Sequence, residues 1–120
     1  MKQTKVAKFF EEDMNMKVCL VVRVIDENEY MLAGYTRSIE LPFVPTLGLK
    51  FKQGSGTTMW DTELGELSPV IKEVVYNLDE ETVYCLFEIN ESLQSSFWTE
   101  IPTDVLEDSF ELNQFGTIPN

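Results

Sequence analysis

Residues 70–89, VIKEVVYNLDEETVYCLFEI, read as an antiparallel hairpin, and this reading decides the fold. Two β-rich runs flank the polar patch Asn77-Leu78-Asp79-Glu80-Glu81, whose residue types favour a turn over either strand or helix. In the second run Val83, Cys85, Phe87 and Ile89 share one face at period two, which predicts a core face; Thr82, Tyr84, Leu86 and Glu88 take the other. The first run is less regular. Lys72 falls with Val70, Val74 and Tyr76, and Glu73 with Ile71 and Val75, so its outer face is expected to be half-wet.

Working outward, the run 17–25, KVCLVVRVI, is the most apolar in the chain. Val18, Leu20, Val22 and Val24 form an unbroken apolar face and only Arg23 interrupts the other, so this strand is expected to be central. Asp26-Glu27-Asn28-Glu29 is a turn, after which Tyr30 to Leu41 is expected to contain a second strand, starting at Gly34 or Tyr35 and running to Leu41. Pro42 and Pro45 remove ladder donors and exclude a central strand there. The apolar loop 41–48, LPFVPTLG, is expected to fold Phe43, Val44 and Leu47 over an end of the sheet, with Gly48 turning into a short strand at 49–52.

Residues 53–67, QGSGTTMWDTELGEL, hold three of the six glycines and read as a surface loop with a ragged strand near Trp60. Leu93, Phe97, Trp98 and Ile101 have helix-compatible spacing over 91–101, and Thr103 can cap a short acidic helix at 104–112. Residues 1–16 are expected to form a helical or frayed arm and 113–120 a tail. Together these predict one globular domain over 1–120: a mainly antiparallel β or α+β fold, a twisted sheet or small barrel of about five strands with short helices near the termini.

The 120 residues carry a formal net charge of -12, unevenly spread. Residues 1–52 hold 8 Lys/Arg against 7 Asp/Glu, whereas 53–120 hold only Lys72 against 14 Asp/Glu. Such an anionic half repels nucleic acid and anionic membrane and attracts basic partners at salt-dependent rates. The alternative is that acidity only maintains solubility. No apolar run reaches the length of a secretory signal or a membrane span, so a cytoplasmic location is expected. Cys19 and Cys85 lie in separate strands and read as buried free thiols, able to pair only if those strands are neighbours.

The chain has no histidine, which excludes Ser–His–Asp and Cys–His catalysis and the commonest zinc ligand. Gly54-Ser55-Gly56-Thr57-Thr58 lacks the spacing and the lysine of a phosphate-binding loop. The carboxylate clusters Asp26/Glu27/Glu29, Asp61/Glu63/Glu66, Asp79/Glu80/Glu81 and Asp104/Glu107/Asp108 sit in predicted turns or at a helix start and match no Ca²⁺-loop pattern. Asn90-Glu91-Ser92 fits a glycosylation acceptor but follows no secretory signal. No cofactor is implied.

These features favour a non-catalytic acidic protein that covers a basic surface on a protein partner: an inhibitor, an immunity protein or a mimic of nucleic-acid charge. Asp61, Glu63, Asp79, Glu80, Glu81, Asp104, Glu107 and Asp108 supply the field, and Trp60 or Trp98 the apolar anchor, unless those rings close the core instead. A second reading is an adaptor that assembles through its sheet edge and apolar loop; a carboxylate-based enzyme is the third.

Overall fold

The structure, a computed structural model, describes residues 15–54 and 58–102. Among the described residues seven strands form: β1 (Met16–Ile25), β2 (Met31–Leu41), β3 (Asp61–Thr62), β4 (Gly65–Glu66), β5 (Glu73–Asn77), β6 (Thr82–Ile89) and β7 (Thr99–Glu100). Five make one sheet in the order β5-β6-β1-β2-β7, and β3 and β4 form a separate small hairpin. The 70–89 hairpin is present, its first strand beginning at Glu73.

The run 17–25 is central, as expected: β1 pairs with β2 on one side and β6 on the other. Its pairing with β6 is parallel, Lys17 opposite Thr82 through Val24 opposite Ile89. The sheet is therefore mixed rather than purely antiparallel, and it is an open sheet, not a closed barrel. Two antiparallel hairpins, β1–β2 and β5–β6, lie side by side in the same sense. That arrangement requires a long crossover from β2 to β5, because parallel neighbours cannot be joined by a tight turn.

Of this crossover, residues 42–54 and 58–72 are described and cover one face of the sheet. Val18, Leu20, Val22 and Val24 of β1 and Val83, Cys85, Phe87 and Ile89 of β6 meet Met59, Trp60 and Ile71 there, with Leu49 and Phe51 packed against them. The loop after β6 returns over the same cluster, adding Leu93 and Trp98. The opposite face buries Cys19, Val21, Tyr84, Leu86 and Ile101. Alternation within each strand thus serves two cores. Cys19 and Cys85 lie on neighbouring strands but face opposite clusters, so both remain buried free thiols. Burial raises both, Cys85 up to about 12.

Four expectations are corrected. Residues 91–101 are not helical: Ser95 Oγ accepts from the Phe97 N–H at 3.1 Å, a local bond that competes with helix, and the chain enters β7 at Thr99. Phe43, Val44 and Leu47 do not fold over the sheet end but stand 48%, 55% and 65% exposed, since the core surface is already occupied by Leu49, Phe51 and Trp60. Residues 49–52 form no strand; only Leu49 exchanges backbone bonds, accepting from Ile71 N–H while Gly48 N–H donates to Ile71 O. Gly48 has φ +84°, the left-handed turn conformation that its position demands. Finally, β2 begins at Met31, because the Asp26–Tyr30 turn closes tightly enough for Met31 to pair with Ile25. The expected helices or arms at 1–16 and 104–112, the tail at 113–120, and Ser55, Gly56 and Thr57 lie wholly or largely outside the described residues. No helix among the described residues is long and apolar enough to cross a membrane.

Candidate functional site

The expected acidic surface is best organised at the β5–β6 turn. Asn77 Oδ1 accepts from the Glu80 N–H at 2.9 Å and Thr82 Oγ1 donates to Glu80 O at 3.0 Å. The Tyr84 hydroxyl donates to Glu80 Oε1 at 2.5 Å, and Glu81 takes the left-handed conformation at φ 52°. Side chains therefore hold the backbone of a turn whose Asp79, Glu80 and Glu81 are all exposed. Leu78, beside them, is 80% exposed. Burial, and then the bond to Glu80, raise the Tyr84 phenol well above its ordinary range, so it stays a donor throughout the physiological span.

Tyr84→Phe is expected to keep the fold, to cost about 1 kcal/mol, and to speed amide hydrogen exchange at residues 80–82. Unchanged exchange in this variant, measured by NMR, would mean that the phenol does not hold the turn.

The remaining expected site residues are dispersed. Asp61 is half-buried: its Oδ2 accepts from the Thr58 N–H at 3.4 Å and its carbonyl from the Gln94 N–H at 2.9 Å, so it anchors the β3–β4 hairpin. Glu63 and Glu66 are exposed there around Leu64, itself 81% exposed. Asp104, Glu107 and Asp108 lie outside the described residues. Trp60 and Trp98 are core residues, 1% and 8% exposed, 5.2 Å apart between centroids. Their indole N–H groups donate to Phe51 O at 2.7 Å and Met59 O at 2.6 Å, which satisfies the polar edge of each buried ring. Neither ring is presented as the surface anchor that its sequence surroundings suggest.

The turn with Asp26, Glu27 and Glu29 closes the opposite end of the sheet. Strand rise over the β1–β6 register separates it from Asp79–Glu81 by about 25 Å, several screening lengths at physiological salt. The acids therefore act as separate local sites.

At that end Glu88 accepts from Arg23 Nη2 and Lys72 Nζ, each at 2.5 Å. Arg23 and Glu88, the charges that interrupt the two most apolar strands, are cross-strand partners in the parallel register. A shallow depression of about 600 Å³ adjoins them, lined by Ile25, Asp26, Leu32, Lys72, Glu88 and Asn90 among others. Burial pushes Glu88 up, but the Lys72 hydrogen bond and the Arg23 charge outweigh it and hold the carboxyl below its ordinary value. Lys72 is raised by its hydrogen bond to Glu88 and by that carboxylate's charge. Glu88 thus pairs with both cations of the network. Among the described residues no three His, Cys, Asp or Glu side chains converge as a metal site.

Sequence reasoning missed Leu78 and Leu64 as exposed apolar residues. The available signal was their position inside acidic turns, where no strand or helix alternation directs a side chain inward. Compared with known proteins, the chain matches no family model, and no curated protein or solved structure is significantly similar to it.

Proposed function

We propose that the protein is a non-catalytic binding protein that engages a basic surface on a protein partner through the β5–β6 turn. The observation that carries this reading is Leu78, 80% exposed beside three exposed carboxylates on a turn whose backbone is held by Asn77 and Thr82 and whose Glu80 carboxylate accepts from the Tyr84 hydroxyl. An apolar anchor framed by charge is the composition of a protein-binding hot spot, and a turn already fixed in shape loses less entropy on binding. The carboxylates orient a cationic partner and speed its approach, while Leu78 supplies the desolvated contact.

The test is capture from a lysate of the expressing cells at low salt, followed by a salt ramp. Wild-type protein is expected to retain a basic protein that Leu78→Ala combined with Asp79→Asn, Glu80→Gln and Glu81→Gln releases, on the order of a hundredfold weaker. Neutralising Asp26, Glu27 and Glu29 at the other end should leave retention within about threefold, because that charge is screened from the turn. Equal retention by wild-type and turn variants would refute the proposal.

A second reading is favoured by one observation, the exposure of Phe43 and Val44 between Pro42 and Pro45 and of Leu47 just after them. If retention survives high salt and is lost on Phe43→Asp, binding belongs to this loop and the protein acts as an adaptor.

A further inference from the structure

We infer that the free edge of β5 is where an extended, lysine- or arginine-bearing segment of the partner docks, adding a strand to the sheet beyond Glu73–Asn77. The inference rests on the binding role proposed above and gives it a mode. Among the described residues β5 pairs only with β6, so one side of its backbone offers unpaired N–H and C=O groups. Edges of this kind are normally blunted by shortness, charged side chains, proline or a bulge. β5 is five residues long and carries one charge, Glu73, but has no lysine, proline or bulge, and its register against β6 is continuous from Glu73 opposite Leu86 to Asn77 opposite Thr82.

The other edge of the sheet differs. β7 pairs with Tyr35 and Thr36, the Ile101 N–H donates to Gly34 O, and Arg37 lies over the Phe97 ring at 4.6 Å. That edge is partly covered and carries charges of both signs, Arg37 beside Glu40 and Glu100. Strand addition there would have to displace β7 from Gly34–Thr36.

Charge identifies the occupant of the β5 edge. Glu73 is exposed at one end, and the strand runs directly into Asp79-Glu80-Glu81 at the other. Lys72, the only basic residue between 53 and 120, is engaged by Glu88. Carboxylates thus flank Glu73–Asn77 at both ends and Lys72 is neutralised, while Lys50 follows the Leu49 that bonds Ile71, just before the strand begins. A second copy of the chain, also at -12, would bring the same carboxylates against these. A basic segment complements them, and Tyr76, 45% exposed, offers an aromatic cross-strand contact to a β-branched guest residue. Main-chain bonds would supply affinity and the flanking acids the preference for lysine or arginine.

The probe is a short peptide alternating lysine and valine, titrated into the full chain and followed by amide NMR and hydrogen exchange. Binding at about 1 mM or tighter is expected. Exchange of the outward-facing β5 amides should slow on the order of tenfold, with β2 unaffected. The same peptide with its ladder-forming nitrogens methylated should not bind, and Glu73→Lys, at an exposed position, should weaken binding on the order of tenfold. Equal binding of the methylated peptide would reduce the interaction to charge alone and overturn strand addition. So would protection confined to β2 or to residues 78–81, or no binding. The lysate experiment separates the two ideas: capture that depends on Leu78 and Asp79–Glu81 while the peptide fails leaves the binding role standing and removes only the edge.

Discussion

Replacing Trp60 by Ala is expected to lower the unfolding free energy by about 4 kcal/mol. The ring is 1% exposed and stands 5.0 Å from Phe87 and 5.2 Å from Trp98 between centroids, so truncation opens a cavity at the centre of the larger core. It also removes the N–H donor to Phe51 O, one of the bonds that hold the crossover onto the sheet. Since small domains are stable by only about 5–15 kcal/mol, the variant should unfold at much lower urea and populate unfolded chains near body temperature. Trp60→Phe keeps most of the ring volume and should lose about 1–2 kcal/mol. A surface anchor would behave differently, costing within about 0.5 kcal/mol of stability. Urea melts of the two variants therefore decide whether Trp60 belongs to the core or to a binding face.

Glu88→Gln is expected to cost about 2 kcal/mol near neutral pH, less than the 3–5 kcal/mol of a fully buried pair because both of its cationic partners reach solvent. Glutamine keeps the shape and one acceptor but leaves the Arg23 and Lys72 charges uncompensated against the sheet. The native carboxyl lies below the 4.5 of an ordinary glutamate. It therefore contributes stability that is fully present above about 4.5 and is lost as pH falls through the lower native value, where the folded state must take up a proton it had resisted. The difference between wild type and Glu88→Gln should shrink across that acid window, and equal pH dependence of the two melts would contradict the assignment. Lys72 is raised, so its share is present below its ordinary value and lost only as pH rises through the higher native one. Lys72→Met should change stability little, because that ammonium is 56% exposed.

Period two was legible wherever a strand alternates. Val83, Cys85, Phe87 and Ile89, and Val18, Leu20, Val22 and Val24, all lie in the face-sharing sets that their spacing predicts. The turns at 26–29 and 77–81 were legible from Asp and Asn, whose side chains bond nearby backbone: Asp26 Oδ1 accepts from the Asn28 and Tyr30 N–H groups. The candidate site was legible in part. Asp79, Glu80 and Glu81 are exposed together, but the anchor beside them is a leucine rather than either tryptophan. An aromatic in a glycine-rich acidic loop carries no local sign of burial. Trp60 is buried because a crossover brings that loop onto Phe87. The spacing of Leu93, Phe97, Trp98 and Ile101 misled for a related reason: such apolar spacing suits a helix or an irregular chain lying on a core, and the Ser95 side chain, bonded to the Phe97 N–H, favours the latter.

By itself, then, the sequence determined the strands of the two hairpins, their turns, the centrality of β1 and the acidity of the chain, because each depends on neighbours within a few residues. Only the tertiary structure decided that β1 and β6 run parallel, that Arg23 meets Glu88, that both tryptophans are covered, and that Leu78 and the β5 edge are left open. Those outcomes depend on where residues 42–72 and 90–98 cross the sheet. Such long connections are placed by the apolar area they bury against strands distant in sequence, and no local period records which face they will reach.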